Sequence, residues 1–170
     1  MDITDFQLLA RYNIWANQRL YACLNHISDD DFYKDCGLFF KSILGTLNHL
    51  LVGEHYLWFP RFQNGYSTQL ALHHIVHTER QPLIDELNWR AENWLHFLDQ
   101  LDPLRLSSQL NYISSAGHSI CLPFAPTLQH VFNHSTHHRG QITAALTSMG
   151  YGCPELDLIY MLLEESKNDA

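Results

Sequence analysis

Residues 130–141, HVFNHSTHHRGQ, place four of the chain's 12 histidines within nine positions. Three histidine pairs in the sequence are spaced i, i+4, namely His73/His77, His130/His134 and His134/His138, where chance placement gives fewer than one. On a helix turning about 100° per residue, His130 and His138 fall about 40° to either side of His134, and Gln141 about 20° away, so all four share one stripe. Val131, Ile142, Leu128, Leu146 and Met149 border that stripe on one flank, and Gly140 and Ala144 on the other. The stripe is therefore expected to face inward, with the small residues letting a neighbouring helix close in. His137 lies at its edge, and Arg139 points about 140° away.

A second segment, SILGTLNHLLVGEHYLW, supplies a complement: His49 has Gly45 one turn before it and Gly53 one turn after, on the same face. Each interior glycine costs about 1 kcal/mol of helix propensity relative to alanine, so the pair is read as leaving a cavity beside His49, with close helix packing as the plainer account. Converging buried imidazoles repel one another when protonated, and a divalent cation removes that conflict. Two histidines one turn apart on a helix and a third from a facing helix suit bonds of about 2.0–2.1 Å and leave positions open for water or substrate, as in catalytic sites. By rotation alone His49 and His134 belong to the set, and either His130 or His138 completes it.

Rival chemistries narrow. The block lacks the Glu of H-E-x-x-H, which argues against a zincin protease. Neither His134 nor His138 has a Glu three residues before it, which argues against a ferritin-like di-iron centre. His73, His74 and His77 sit in a polar connection, where metal binding is adventitious at most. His26, His55, His96 and His118 read as surface or hydrogen-bonded histidines. Glu54, about 140° from His49 on an α-helix, reads as a surface ion-pair partner.

The elements that must position these residues are helical. Apolar spacing predicts a first helix from Asp5 to about Ile27, followed by a polar capping break at SDDDF. A second helix is expected from Ser42, a candidate N-cap, to near Phe59, where Pro60 should end it. It is apolar nearly all round and so is placed centrally. Residues 63–78 read as a loop, and residues 82–101 as a third helix. Tyr112-Ile113 and Ile120–Leu122 flank SSAGHS as a short β-hairpin insertion. The fourth helix spans about Thr127 to Met149, and Pro154 opens a short last helix, with residues 166–170 as a flexible tail. The fold class is all-α, a four-helix bundle in a single domain over residues 1–170.

Composition sets outer bounds. A formal charge of −8, with only 10 Lys and Arg, argues against nucleic acid and anionic membranes as partners. The N-terminus lacks the features of a signal peptide and no run is apolar enough to span a membrane, so the expected location is cytoplasmic. Cys23, Cys36, Cys121 and Cys153 form no C-x-x-C and read as reduced, mostly buried thiols.

SILGTLNHLL, HVFNHSTHHRGQI and the opening YNIWANQRL together resemble the DinB/YfiT-like family of metalloenzymes, a likeness that covers essentially the whole chain. The resemblance implies an up-down-down-up bundle, often a homodimer, with a divalent transition metal held by His49, His134 and His138. Zn or Ni leads, with Fe, Mn or Cu as alternatives. His130 then becomes a neighbour that orients a ligand or a bound water, and Gln141 a further supporting residue. The family includes thiol-dependent transferases and isomerases that use small cellular thiols such as bacillithiol or mycothiol. The implied activity is transfer of a small thiol to an electrophilic small-molecule substrate. Hydrolysis by an activated water is the first alternative, and a non-catalytic metal-binding or stress-related dimer the second. No catalytic side chain is assigned, and Tyr12, Trp15 and Asn17 read as aromatic packing with a polar contact.

Overall fold

The computed structural model describes residues 1–168. Helix α1, Ile3–Leu24, opens with a capping box in which Asp2 accepts from the Thr4 and Asp5 amides and Asp5 reaches back to Asp2. The SDDDF break is itself a short helix, α2, Asp29–Tyr33, capped by Ser28. Helix α3, Ile43–Leu50, has Ser42 as its N-cap. It continues as a π-helical stretch, Leu51–Trp58, and then as α4, Phe59–Asn64. Helix α5 is Arg80–Gln100, followed by a 3₁₀ turn, Pro103–Ser107. Strands β1, Gln109–Ile113, and β2, Ser119–Pro123, pair antiparallel with Gln109 opposite Pro123. Helices α6, Phe124–Ser148, and α7, Leu158–Asn168, complete the described residues. None of these helices is long and apolar enough to cross a membrane.

Side-chain contacts give each helix its direction. Gln7 bonds Asp99, and Arg80 bonds the Leu24 and Ile27 carbonyls, so α1 and α5 run antiparallel. Ile43 and Leu47 share a core cluster with Leu83 and Leu87, while Phe62 meets Trp94 and Phe97, so α3–α4 runs parallel to α5. Phe62 also packs on Phe124, and Leu47 lies in the cluster of Leu146, which sets α6 antiparallel to α3. The order is up, down, down, up. A parallel α3–α5 pair needs a connection that travels the length of the bundle, and residues 65–79 make it.

Two apolar clusters fill the ends: an aliphatic one around Leu20, Leu24, Leu47, Leu83 and Leu146, and an aromatic one around Phe6, Phe62, Trp94, Phe124 and Phe132. Between them lies a polar waist, with Asn13, Asn17, Glu54, Ser135, His138 and Arg139 all buried. Arg139 bonds the Asn13 and Asn17 side-chain oxygens and Thr136. The YNIWANQRL segment therefore anchors structure. Asn17 holds Arg139, the Tyr12 hydroxyl bonds the Leu156 carbonyl, and the Trp15 indole bonds Glu164 on α7.

Pro60 does not end the second helix. An interior proline cannot pair the carbonyl four residues back, here that of Tyr56, and crowds it. The π stretch moves the conflict aside. The Phe59 amide reaches five residues back to Glu54, and the Tyr56 carbonyl accepts the Thr68 hydroxyl at 2.5 Å from the crossover. The helix stops instead at Gly65, whose φ of 73° few other residues adopt comfortably.

Smaller corrections follow local chemistry. The last helix begins at Leu158 rather than Pro154, and it extends through Ser166–Asn168, part of the expected tail, whereas residues 169 and 170 lie outside the described residues. The cysteines are not mostly buried. Cys23 and Cys36 are half-buried, while Cys121 on the hairpin and Cys153 after α6 are exposed. Gly140 and Ala144 are exposed, and a Cβ added to Gly140 meets nothing within 4 Å, so no described helix closes on that flank.

Replacing Thr68 by Val should remove this bond from the half-buried Tyr56 carbonyl and cost about 0.5–1.5 kcal/mol, the net worth of a typical hydrogen bond. Urea unfolding midpoints read this directly, and an unchanged midpoint would show that the carbonyl pairs equally well elsewhere.

Candidate metal centre

His49 comes from α3, and His134 and His138 from successive turns of α6, and their rings meet at the polar waist. The His134 Nε2 lies 3.1 Å from the Nε2 of His49 and 3.1 Å from that of His138. Among the described residues these three histidines are the one group of His, Cys, Asp or Glu whose ligand atoms all fall within 4.8 Å of one another. Tetrahedral bonds of about 2.0–2.1 Å put neighbouring ligand atoms roughly 3.3 Å apart, so the spacing fits one ion.

The outward nitrogens carry the stronger argument. His49 Nδ1 faces the Leu72 carbonyl at 3.0 Å, His134 Nδ1 faces Glu54 Oε1 at 3.0 Å, and His138 Nδ1 faces Gln141 Oε1 at 2.7 Å. Each partner is an acceptor, so each Nδ1 carries the proton and each Nε2 presents a lone pair. Three lone pairs then point at one another. A cation satisfies such a set, and outward hydrogen bonds of this kind fix the tautomer and orientation of metal-ligating histidines.

Electrostatics agree. Burial pushes the His138 imidazole down to about 4, with neighbouring His134 adding to the effect and the Gln141 contact opposing it. Burial also lowers His49, against the Leu72 carbonyl. Both are neutral, as ligands must be. Burial pushes the Glu54 carboxyl up, but its bonds from His134 and, at 2.7 Å, from the Ser135 hydroxyl bring it below its ordinary value. The same polar layer holds the buried Tyr21 hydroxyl, raised by burial and by Glu54 and lowered by Arg139, with no hydrogen-bond partner among the described residues.

The buried Glu54 overturns its reading as a surface ion-pair partner. The expectation assumed about 100° per residue, but the chain becomes π-helical at Leu51, each residue turns less, and the carboxylate swings in toward His134. The orienting contact expected of His130 is thus made by Glu54. His130 is exposed, and it packs edge-on against Trp58 with ring centroids 5.3 Å apart and lies beside the His134 ring at 5.7 Å. Gln141 does support a ligand, at His138.

The two glycines divide the roles proposed for them. A Cβ on Gly53 would stand 3.5 Å from His134 Cε1 and 3.8 Å from His49 Cε1, at ordinary contact distance, so Gly53 leaves beside the rings a space that a methyl group would fill. A Cβ on Gly45 would meet the Phe40 carbonyl at 2.0 Å, so Gly45 serves close packing by the preceding loop. That approach lays the Phe40 ring flat on His49, with centroids 3.8 Å apart and planes at 15°. Asn48, next to the ligand, binds the crossover from both ends of its amide: the Val76 and His77 amides donate to its oxygen and its nitrogen donates to the His77 carbonyl.

His77 pairs with Glu86 and so ties the crossover to α5, while His73 and His74 are exposed. His26, His96 and His118 are exposed, and His55 is buried. Asn48, Phe40 and the Leu72 carbonyl were not singled out in the sequence; the first is adjacent to His49, but nothing local marks the other two.

The DinB family model matches residues 1–168. The chain belongs to the DinB family. Protein DinB of Bacillus subtilis (strain 168), a relative in that family, is 29% identical over 173 residues, spanning 97% of this chain and 99% of the relative. The solved structure of YfiT from Bacillus subtilis, described as "a probable metal-dependent hydrolase with an unusual four-helix bundle topology", is similar with a TM-score of 0.62. It is 17% identical and the match covers 85% of this chain and 87% of that one, a likeness that shows the shared four-helix bundle.

Metal-free protein should lose stability as pH falls. Burial holds both His138 and His55 at about 4 in the folded state, below an ordinary value of about 6.5. The unfolded chain therefore takes up protons first. Stability is complete above about pH 6.5 and drains away toward pH 4, by up to about 1.4 kcal/mol per pH unit for each histidine. Unfolding free energies across that window should show the slope, and His55→Gln should remove one proton's share of it.

Proposed function

We propose that the protein is a metal-dependent enzyme in which His49, His134 and His138 hold one divalent transition-metal ion, Zn or Ni before Fe, Mn or Cu. The observation that carries this reading is the convergence of three Nε2 lone pairs whose Nδ1 protons are all engaged outward. An ion bound there supplies Lewis acidity that brings the pKa of a coordinated water or thiol toward neutrality.

The chain's own residues do the rest. Glu54 accepts from His134 and so raises its basicity toward the ion. The Leu72 carbonyl and the Gln141 side chain fix the orientation of the other two rings. Phe40 covers one face of His49 and sheds water from it. Glu54 Oε1 accepts from both His134 and Ser135, which commits that carboxylate oxygen to orienting a ligand, and the nucleophile is drawn from solution.

Two nucleophiles fit. A small cellular thiol, transferred to an electrophilic small molecule, is the reading supported by the family resemblance. Water, giving hydrolysis, is supported by the description of the structural neighbour YfiT.

Elemental analysis of protein from metal-replete growth should find close to one divalent ion per chain, and His134→Ala should abolish it. Absence of metal from the unaltered protein would end the proposal. Glu54→Gln should keep the fold and weaken metal affinity about 10–100-fold, as loss of a ligand's outer partner does. Electrophiles incubated with and without low-molecular-weight thiols separate the two nucleophiles. Turnover that needs thiol identifies the transferase, thiol-independent turnover identifies the hydrolase, and no turnover by fully metallated protein leaves a binding protein.

A further inference from the structure

Beside the histidine centre, on the far side of Phe40 from His49, lies a cleft of about 590 Å³ lined by Phe39, Phe40, Lys41, Leu72 and Ile75, with Gly45 at its floor. Phe39, Leu72 and Ile75 are exposed at 81%, 52% and 42%, unusually open for large apolar side chains grouped in one concavity. The cleft and the centre share structure. Phe40 presents one face to His49 and its ring also approaches His138, with centroids 5.9 Å apart. Leu72 lines the cleft while its carbonyl holds His49 Nδ1.

The loop that forms this wall is held at a conformational cost. Lys41 has a φ of 71°, a left-handed backbone that a residue with a side chain seldom adopts, and its amide and carbonyl are tied to Leu38 and Cys36. Gly45 is required for the Phe40 carbonyl to seat. Strain of this kind collects at ligand clamps. A concave apolar site next to a polar reactive centre is also how small-molecule pockets are built. A flat self-association face would need neither the concavity nor the shared wall.

We infer that this cleft binds the apolar tail, alkyl or aryl, of a substrate whose polar reactive group sits at the histidine centre, with Phe40 as the partition between the two. The substrate class is thus an amphiphilic small molecule. The Lys41 ammonium, lining the cleft, suits a tail that carries no positive charge. The bridging part rests on the metal-centre reading above, while occupancy of the cleft does not.

The test has an arm for each part. Hexan-1-ol titrated into the isotopically labelled protein as purified should give saturable amide shifts at Phe40, Lys41, Gly45, Leu72 and Ile75. Absence of saturable shifts there overturns the proposal whatever the metal content.

In the second arm, zinc-loaded protein is titrated calorimetrically with hydroxamates from acetyl to octanoyl. Affinity should rise by roughly threefold per methylene over the first few added carbons, somewhat below full burial of each group. Ile75→Ser and Phe39→Ser, both at exposed positions, should bring octanohydroxamate down toward acetohydroxamate, with melting temperature and metal content reporting an intact fold. Chain-length independence in metallated protein, or a gain that survives both substitutions, overturns the proposal. So does a change from dimer to monomer in sedimentation when the same residues are replaced, which would assign the cleft to a second copy of the chain. Hexanol binding in a protein that takes up no zinc would keep the cleft and remove the metal-centre reading alone.

Discussion

The constraint on which this structure turns is that three neutral imidazoles must aim their unprotonated nitrogens at a common point inside a helical bundle. Unpaired lone pairs in a buried site are unfavourable, and three together repel. The arrangement holds because each ring is gripped from behind by an acceptor with a different origin: a carboxylate from the π stretch, an amide one turn along α6, and a backbone carbonyl from the crossover. The last makes an otherwise irregular segment part of the site. Residues 65–79 are bound by Asn48 to α3, by Thr68 to the Tyr56 carbonyl and by His77 to Glu86, and the Leu72 carbonyl is positioned by those ties.

The π stretch links architecture to chemistry. Five-residue hydrogen bonding is less favourable than the α pattern and is found mainly as local insertions near functional sites. Here it does two things at once. It lets the chain pass Pro60 without ending the helix, and it rotates Glu54 into the bundle against His134 and Ser135. A buried carboxylate needs compensation beyond its hydrogen bonds, and the buried Arg139 lies in the same polar layer, with the Tyr21 hydroxyl sensing both. The bundle thus gives up apolar packing at its waist to carry one anion, one cation and the ring cluster, and the aliphatic and aromatic clusters at either end support it.

Much of this was legible because helical periodicity is a strong signal. The long helices, the Ser42 cap and the hairpin between Tyr112 and Leu122 follow from spacing and turn residues. The inward stripe gave His134, the glycine-flanked His49 its partner, and the family pattern chose His138 over His130. Two of the failures trace to the π stretch. A fixed 100° per residue places Glu54 on the surface, and the rule that proline ends a helix assumes the α pattern of bonding that the π stretch abandons before Pro60. Contacts from irregular chain, such as the Phe40 ring and the Leu72 carbonyl, have no periodicity to betray them. The exposed Gly140 and Ala144 show the converse limit, since small residues permit close approach without requiring it.

The three outer contacts are not equivalent, and their chemistry ranks the rings. A carboxylate and a backbone carbonyl can only accept, so His134 and His49 are fixed with Nδ1 protonated. Gln141 offers a donor as well as an acceptor on the same amide. Turning that amide over would let His138 move its proton to Nε2 and donate across the 3.1 Å gap to His134, which relieves that contact and leaves the His49 lone pair facing the same atom. One ring can thus pair in metal-free protein, while the two others keep the tautomer that an ion needs. Entry of the ion then requires only the amide and one proton to return. The residue that gives the cluster this freedom is the glutamine three positions after His138.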